Sequence, residues 1–330
     1  MPTILDSLAS TFGPDVMGDI GKALGADSSA VAKGVGVIGP LLLAGLTRQT
    51  TQPGGAESLM KRLPEGTGLL AGLGSLLSGL TGGKAGDESS PSTALLGPGA
   101  NAIGGALTRK LGFNVMPLLG LVAPALLGLL GKAVKSDKLD ASGLASMLGH
   151  ERDAFASDPA NKETVALVTS AMTTGDKAEA TIAAYGESWK HVAAGPAAAL
   201  FMVSASDLSG PIGTVKEAQA AGKAMLDAAS KAEPTSVLAS AFGAGLTMDM
   251  ASQVKALASS KDKLIEIVKA GAAAVAAKSP GELQAYKDTI LSVAQASAQA
   301  SKEGGFLGIG STLVSKDEQA ALDAIKAALG

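Results

Sequence analysis

The chain has 330 residues, 46% of them hydrophobic and 17% charged, with mean hydropathy +0.29, a formal charge of −3 and no cysteine. Without cysteine there are no disulfides, no thiol catalysis and no thiolate metal sites. Without a basic block there is no electrostatic footprint for nucleic acid.

The length predicts two domains, and the composition shifts to match. Residues 1–150 hold 28 of the 43 glycines and 9 of the 14 prolines at a net charge of +1, and the remainder carries −4. The expected domains are 1–152 and 153–330. The opening MPTILDSLASTFGPDV has early acidic residues and no basic segment before an apolar core. No signal peptide is therefore expected, and the cytoplasm is the default location.

Two short helices are predicted first, Ile4 to Phe12 and Pro14 to Leu24, separated at Gly13 and closed by Gly25. Asp27 or Ser28 then caps a third helix, which Pro40 should bend because proline supplies no N–H and crowds the preceding turn. This helix opens the stretch on which the first half is organised. VIGPLLLAGLTRQTTQPGGAESLMKRL, Val37 to Leu63, joins an apolar helix, a Pro/Gly turn and a short amphipathic segment. A degenerate copy, VAPALLGLLGKAVKSDKLDASGLASML, runs from Val122 to Leu148 with Pro124 in place of Pro40. A repeated unit that cannot bury its own apolar face calls for its partner, so the two copies are expected to share one core.

Gly34, Gly36 and Gly39 match the spacing G-x-G-x-x-G. A dinucleotide site needs a strand before that motif and a helix starting within it. Here the preceding residues are helical in pattern, so the glycines are expected to serve close helix packing and no cofactor is predicted. Gly66 to Gly86 alternates leucine pairs with glycine, and a linker is expected at about 82–100, where Ser, Pro and Gly dominate. Leu111 to Gly131 is 21 residues without a charge, long enough by itself to span a bilayer. Glycine and proline interrupt it and both flanks are basic, so burial in protein is the expectation and membrane association through 111–131 the lesser reading.

The second half is rich in alanine and helical throughout in pattern. Asp176/Glu179, Thr214/Glu217, Ser279/Glu282 and Ser315/Glu318 fit the capping box, so each pair is expected to open a helix. Leu264, Ile267, Val268, Gly271, Ala272 and Val275 share one helical face, and Tyr286, Ile290, Val293 and Ala294 share another. The chain is thus predicted to be all-α: a first helical domain with a duplicated Pro-bent helix and turn, and a second domain that is an Ala-rich helical bundle.

GLTRQTTQPGGAESLMKRL at Gly45 to Leu63, LLGLVAPALLGLLGKAV at Leu118 to Val134 and LDASGLASMLGHER from Leu139 together resemble the YidB-like bacterial family. That resemblance implies an all-α fold and brings no catalytic residues. ALFMVSASDLSGPIGTVKEAQAAGKAML (Ala199 to Leu226) and AQASKEGGFLGIGSTLVSKDEQAALDAIKAAL (Ala298 to Leu329) resemble TerB-like tellurite-resistance domains. In those domains acidic residues around such turns are associated with metal. On that resemblance Asp207, Glu217, Asp317 and Glu318 are candidate ligands for a divalent metal ion, which needs several oxygens at once. The alternative is that Glu217 and Glu318 serve helix caps.

His150, expected at a helix end, and His191, expected at a helix edge, are the only histidines, and neither belongs to a catalytic motif. Tyr185 and Trp189, four apart, are expected to form a core stripe. With no chemical constellation, the chain is expected not to be an enzyme. The leading expectation is a structural protein that self-associates into a homo-oligomer or larger assembly, with itself as partner. A stress-related metal-binding protein is the alternative, and membrane association the third. The polar turn Arg48, Gln49, Thr50, Thr51 and Gln52 is the predicted interaction site.

Overall fold

The computed structural model of this chain describes residues 3–64, 91–205, 211–243, 245, 250–251, 254, 260–300 and 314–330. Among these the fold is all-α, with no strand. Contacts divide the chain into two compact units, Met1–Asp176 and Lys177–Gly330. The division falls inside a helix, some twenty residues past the compositional shift at 152. That helix begins with apolar residues committed to the first core, Val168 and Ala171.

In the first unit α1 (Ile4–Thr11), α2 (Pro14–Leu24) and α3 (Ser28–Thr50) follow in close succession. A complete capping box between Thr3 and Asp6 starts α1. Gly25, in the left-handed region at φ 64°, ends α2, where a side chain would be strained. The Asp27 carboxylate accepts from the Ala30 N–H and starts α3, which runs through Pro40 as one helix. Next come α4 (Gly55–Arg62), α5 (Pro91–Leu96), α6 (Ala100–Leu111), α7 (Met116–Ser136) and α8 (Ala141–Ser157). A 3-10 turn at Pro159–Asn161 leads into α9 (Lys162–Tyr185).

The hub is α3, which packs on every helix from α1 to α8. The two copies of the repeat, α3–α4 and α7–α8, meet in one core that holds Leu41, Leu42, Leu46, Leu126, Leu130 and Leu148. The Thr47 hydroxyl, inside α3, donates to the Leu43 carbonyl and faces the Leu148 carbonyl of the second copy.

Three expectations for this unit need correction. The stretch expected as a linker at 82–100 contains α5, whose Leu95 and Leu96 are fully buried against α3. It crosses at Gly45, where a β-carbon would stand 2.7 Å from the Leu95 carbonyl. The Gly/Leu stretch 66–86 lies outside the described residues. The uncharged run 111–131 is not one helix, because α6 ends at Leu111 with Gly112 in the left-handed region and α7 starts at Met116. His150 is mid-helix rather than terminal, since the pattern of α8 carries on to Ser157.

In the second unit the last turns of α9 pass through a 3-10 turn, Gly186–Ser188, into α10 (Trp189–Ser204). Then come α11 (Pro211–Lys231), α12 (Val237–Phe242), α13 (Lys261–Lys278), a 3-10 turn at Pro280–Glu282, α14 (Leu283–Ala300) and α15 (Lys316–Leu329). Here α10 is the hub and lies most extensively on α13, while α11 lies on α14. All the residues predicted for the apolar faces of α13 and α14 are buried. Tyr185 and Trp189 pack edge to face with centroids 5.5 Å apart, across the 3-10 turn rather than along one helix.

The capping pairs divide. Ser315 and Glu318 form the complete box that opens α15. Asp176 and Glu179 open nothing, because α9 is already helical from Lys162, and Thr214 falls in the first turn of α11. Beyond Ser279 the chain does turn into α14, yet the Glu282 carboxylate accepts from the Val237 N–H and so caps α12, 45 residues upstream.

Candidate functional site

Among the described residues the first unit fully exposes no large hydrophobic side chain, so its long apolar helices are where a partly covered apolar face is found. Two of the described helices, α3 and α7, are long and apolar enough to cross a membrane, with mean hydropathy of 1.7 and 1.8 over their best windows. Burial separates them: 72% of that window lies inside the protein for α3 and only 50% for α7. On α7 the residues Leu118, Leu119, Leu121, Val122, Leu126 and Leu130 face the core. Met116, Pro117, Gly120, Pro124 and Leu127 are half-buried, and their spacing places them along one side of the helix. No charge interrupts that face, and a β-carbon on Gly120 would meet nothing within 4 Å. At the far end the Pro64 carbonyl covers Gly131.

The prolines inside α3, α7 and α10 pose a shared problem. Each leaves the carbonyl four residues earlier without its helical donor. For Pro40 that carbonyl belongs to Gly36 and for Pro124 to Gly120, so the repeat carries Gly-x-x-x-Pro in both copies. Gly36 is exposed and, like Gly120, has open space where a side chain would be. For Pro196 the carbonyl is that of Val192, and the Tyr286 hydroxyl donates to it at 2.9 Å. This hydroxyl is fully buried, and a β-carbon on Gly195 or Gly271 would stand within about 2.4 Å of it. Burial pushes the ionisation of Tyr286 far up, so it is a neutral donor at any physiological pH.

The predicted polar turn is largely engaged within the fold. Gln49 donates to the carbonyls of Ala94 and Leu95, and Arg48 donates to that of Leu96 and pairs with Asp176. Arg62 adds a bond to the Gln49 side chain. These are the last carbonyls of α5, which its own helix cannot satisfy. The Thr50 hydroxyl bonds back to the Thr47 carbonyl, and Thr51 and Gln52 are exposed. In the G-x-G-x-x-G motif, Gly34 lies against Leu118 and Phe113, and Gly39 against Leu5 and Leu8. The motif sits inside α3, so no helix N-terminus is offered to a phosphate.

Of the candidate metal ligands, Asp207 lies outside the described residues. Glu217 is 2% exposed and accepts from the Ser204 hydroxyl. Glu318 is 1% exposed and accepts from the Ser315 N–H at 2.6 Å. Asp317 faces solvent. Among the described residues no three His, Asp or Glu side chains lie close enough to share a metal ion. His191 is half-buried at the first turn of α10, and its Nδ1 is enclosed without a hydrogen-bond partner. Burial, helped by neighbouring Lys190, holds its pKa below the usual imidazole value.

Against known proteins, residues 6–133 match a family model described as a bacterial protein of unknown function (DUF937). The match takes in the first copy of the repeat and most of α7. No curated protein and no solved structure matches the chain.

Proposed function

We propose that this chain is a non-enzymatic structural protein that self-associates in the cytoplasm through the half-buried face of α7. The observation carrying the reading is an uncharged row along α7, Pro117, Gly120, Pro124 and Leu127, that the described residues leave only half-buried. An apolar row that its own fold covers only in part is a place for a partner to complete the burial. A second copy of the same face is the simplest occupant, because an isologous contact needs no charge complementarity and the face has none to offer. Gly120 and Pro124 keep the surface low, so two such helices can approach closely. A bilayer span is disfavoured: half of the α7 window already packs against protein, and the charge-free part of the helix ends at Lys132, short of the roughly 20 apolar residues a span needs.

The finer family reading belongs to the same proposal. The first unit is taken as a YidB-like domain, supported by the repeat motifs and the match over 6–133. For the second unit the TerB-like reading is supported by the two sequence motifs alone, Ala199 to Leu226 and Ala298 to Leu329.

Light scattering behind size-exclusion chromatography tests the assembly, with the wild type expected to run as a multimer and Gly120→Glu/Leu127→Glu as a folded monomer. A wild type that stays monomeric across concentrations overturns it. Flotation of the wild type with liposomes would favour lipid as the occupant instead.

A further inference from the structure

A second surface of the first unit is a groove of about 1160 Å3, open along one side and bounded by α1, α3, α6, α8 and α9. Its floor is apolar, with Leu8, Val37 and Pro40 buried beneath Leu5, Phe155 and Leu167. Its rim is charged. Asp6, Glu151, Asp158 and Glu163 supply four carboxylates, against the two ammonium groups of Lys33 and Lys110. Glu151 also accepts from the Ile4 N–H at 3.0 Å, and burial pushes its carboxyl above the usual range.

Gly36 points to use of this space. It lies mid-helix on the groove wall, where glycine costs about 1 kcal/mol relative to alanine. Packing does not require it there, since a β-carbon would meet nothing within 4 Å. Its neighbours in the motif, Gly34 and Gly39, are glycines for a packing reason; Gly36 keeps an opening. Pro40 also denies the Gly36 carbonyl its helical i+4 donor.

We infer that this groove is a docking site for a basic amphipathic helix of a partner protein. The apolar floor takes the helix's apolar stripe, and the carboxylate excess on the rim takes its lysines or arginines. This is helix-in-groove recognition. The volume exceeds the ~300–1,000 Å3 usual for small ligands, and the rim repels fatty or phosphorylated anions.

Fluorescence anisotropy with a synthetic leucine/lysine helix tests the site on the full chain. Binding is expected, with a leucine/glutamate helix of the same pattern weaker by about tenfold or more. Gly36→Leu fills the opening without changing charge and is expected to weaken binding by a similar factor while keeping the circular dichroism spectrum. Glu163→Lys, an exposed change, is expected to weaken it too, and Gly120→Leu on the α7 face to leave it unchanged. The site is overturned if no helix binds, if the leucine/glutamate helix binds as well, if folded Gly36→Leu binds like wild type, or if hexadecanoate binds in the peptide's place.

Discussion

The two units solve the same packing problem with opposite materials. Each is built around one buried helix with an interior proline, α3 with Pro40 and α10 with Pro196. The described core of the first unit holds sixteen leucines and four alanines, and that of the second holds four leucines and eleven alanines. Leucine cores hold helices apart and fill the gap with side chains. Alanine cores leave little gap for an added side chain, as at Gly271, where a β-carbon would stand 2.8 Å from the His191 carbonyl and 2.4 Å from the Tyr286 hydroxyl. The first unit should therefore suffer most from truncation and the second from enlargement.

The largest effect is expected from Leu42→Ala, fully buried on α3, which should cost about 3–5 kcal/mol through lost burial and a residual cavity. Ala198→Leu on α10 is the counterpart and should cost about 1–3 kcal/mol or more, since there is no room for the added methyls. Thermal unfolding of the two variants checks the contrast, which fails if Ala198→Leu is neutral. Gly195→Ala should cost a similar ~1–3 kcal/mol, because the new methyl displaces the Tyr286 hydroxyl and strands a buried carbonyl.

Smaller effects sharpen the comparison at its edges. Ser315→Ala removes the cap of α15 and should cost about 1 kcal/mol in chemical denaturation. Gly36→Ala should instead stabilise the first unit by up to about 1 kcal/mol, because nothing opposes the methyl. The smallest is a pH effect at His191. Its folded pKa lies below the unfolded value, so the unfolded chain binds more protons in that range and stability falls as pH drops through the unfolded pKa near ~6.5. His191→Asn should flatten that dependence, as read from melting temperatures on either side of it.

Helices and their buried faces were legible because periodicity is local: Asp27 as a cap, Gly25 as a stop and the six-residue apolar face of α13 each follow from neighbours in sequence. What was not legible depended on partners far away. Asp176 and Glu179 have capping-box spacing, but α9 had begun fourteen residues earlier at Lys162, and Asp176 pairs with Arg48 instead. Glu282 has the spacing to open its own helix and instead caps α12. Arg48 and Gln49 looked free at a helix end, yet they serve the carbonyls of α5, which itself was hidden in a Ser/Pro/Gly stretch. The groove had one sequence trace, a glycine with no packing reason, and only the empty space beside it distinguishes Gly36 from Gly34.

The bond from Tyr286 to the Val192 carbonyl also sets an order of events. Pro196 prevents α10 from closing all its own bonds, and the missing donor arrives 94 residues later in the chain. During synthesis α10 therefore emerges with a carbonyl that only water can satisfy, and burying it before α14 exists would be costly. The second unit must wait for its C-terminal half and then close in one cooperative step, at the slower pace that distant contacts impose. In the first unit the carbonyl that Pro40 deprives belongs to exposed Gly36 and can stay solvated, so α3 needs no donor from a distant part of the chain.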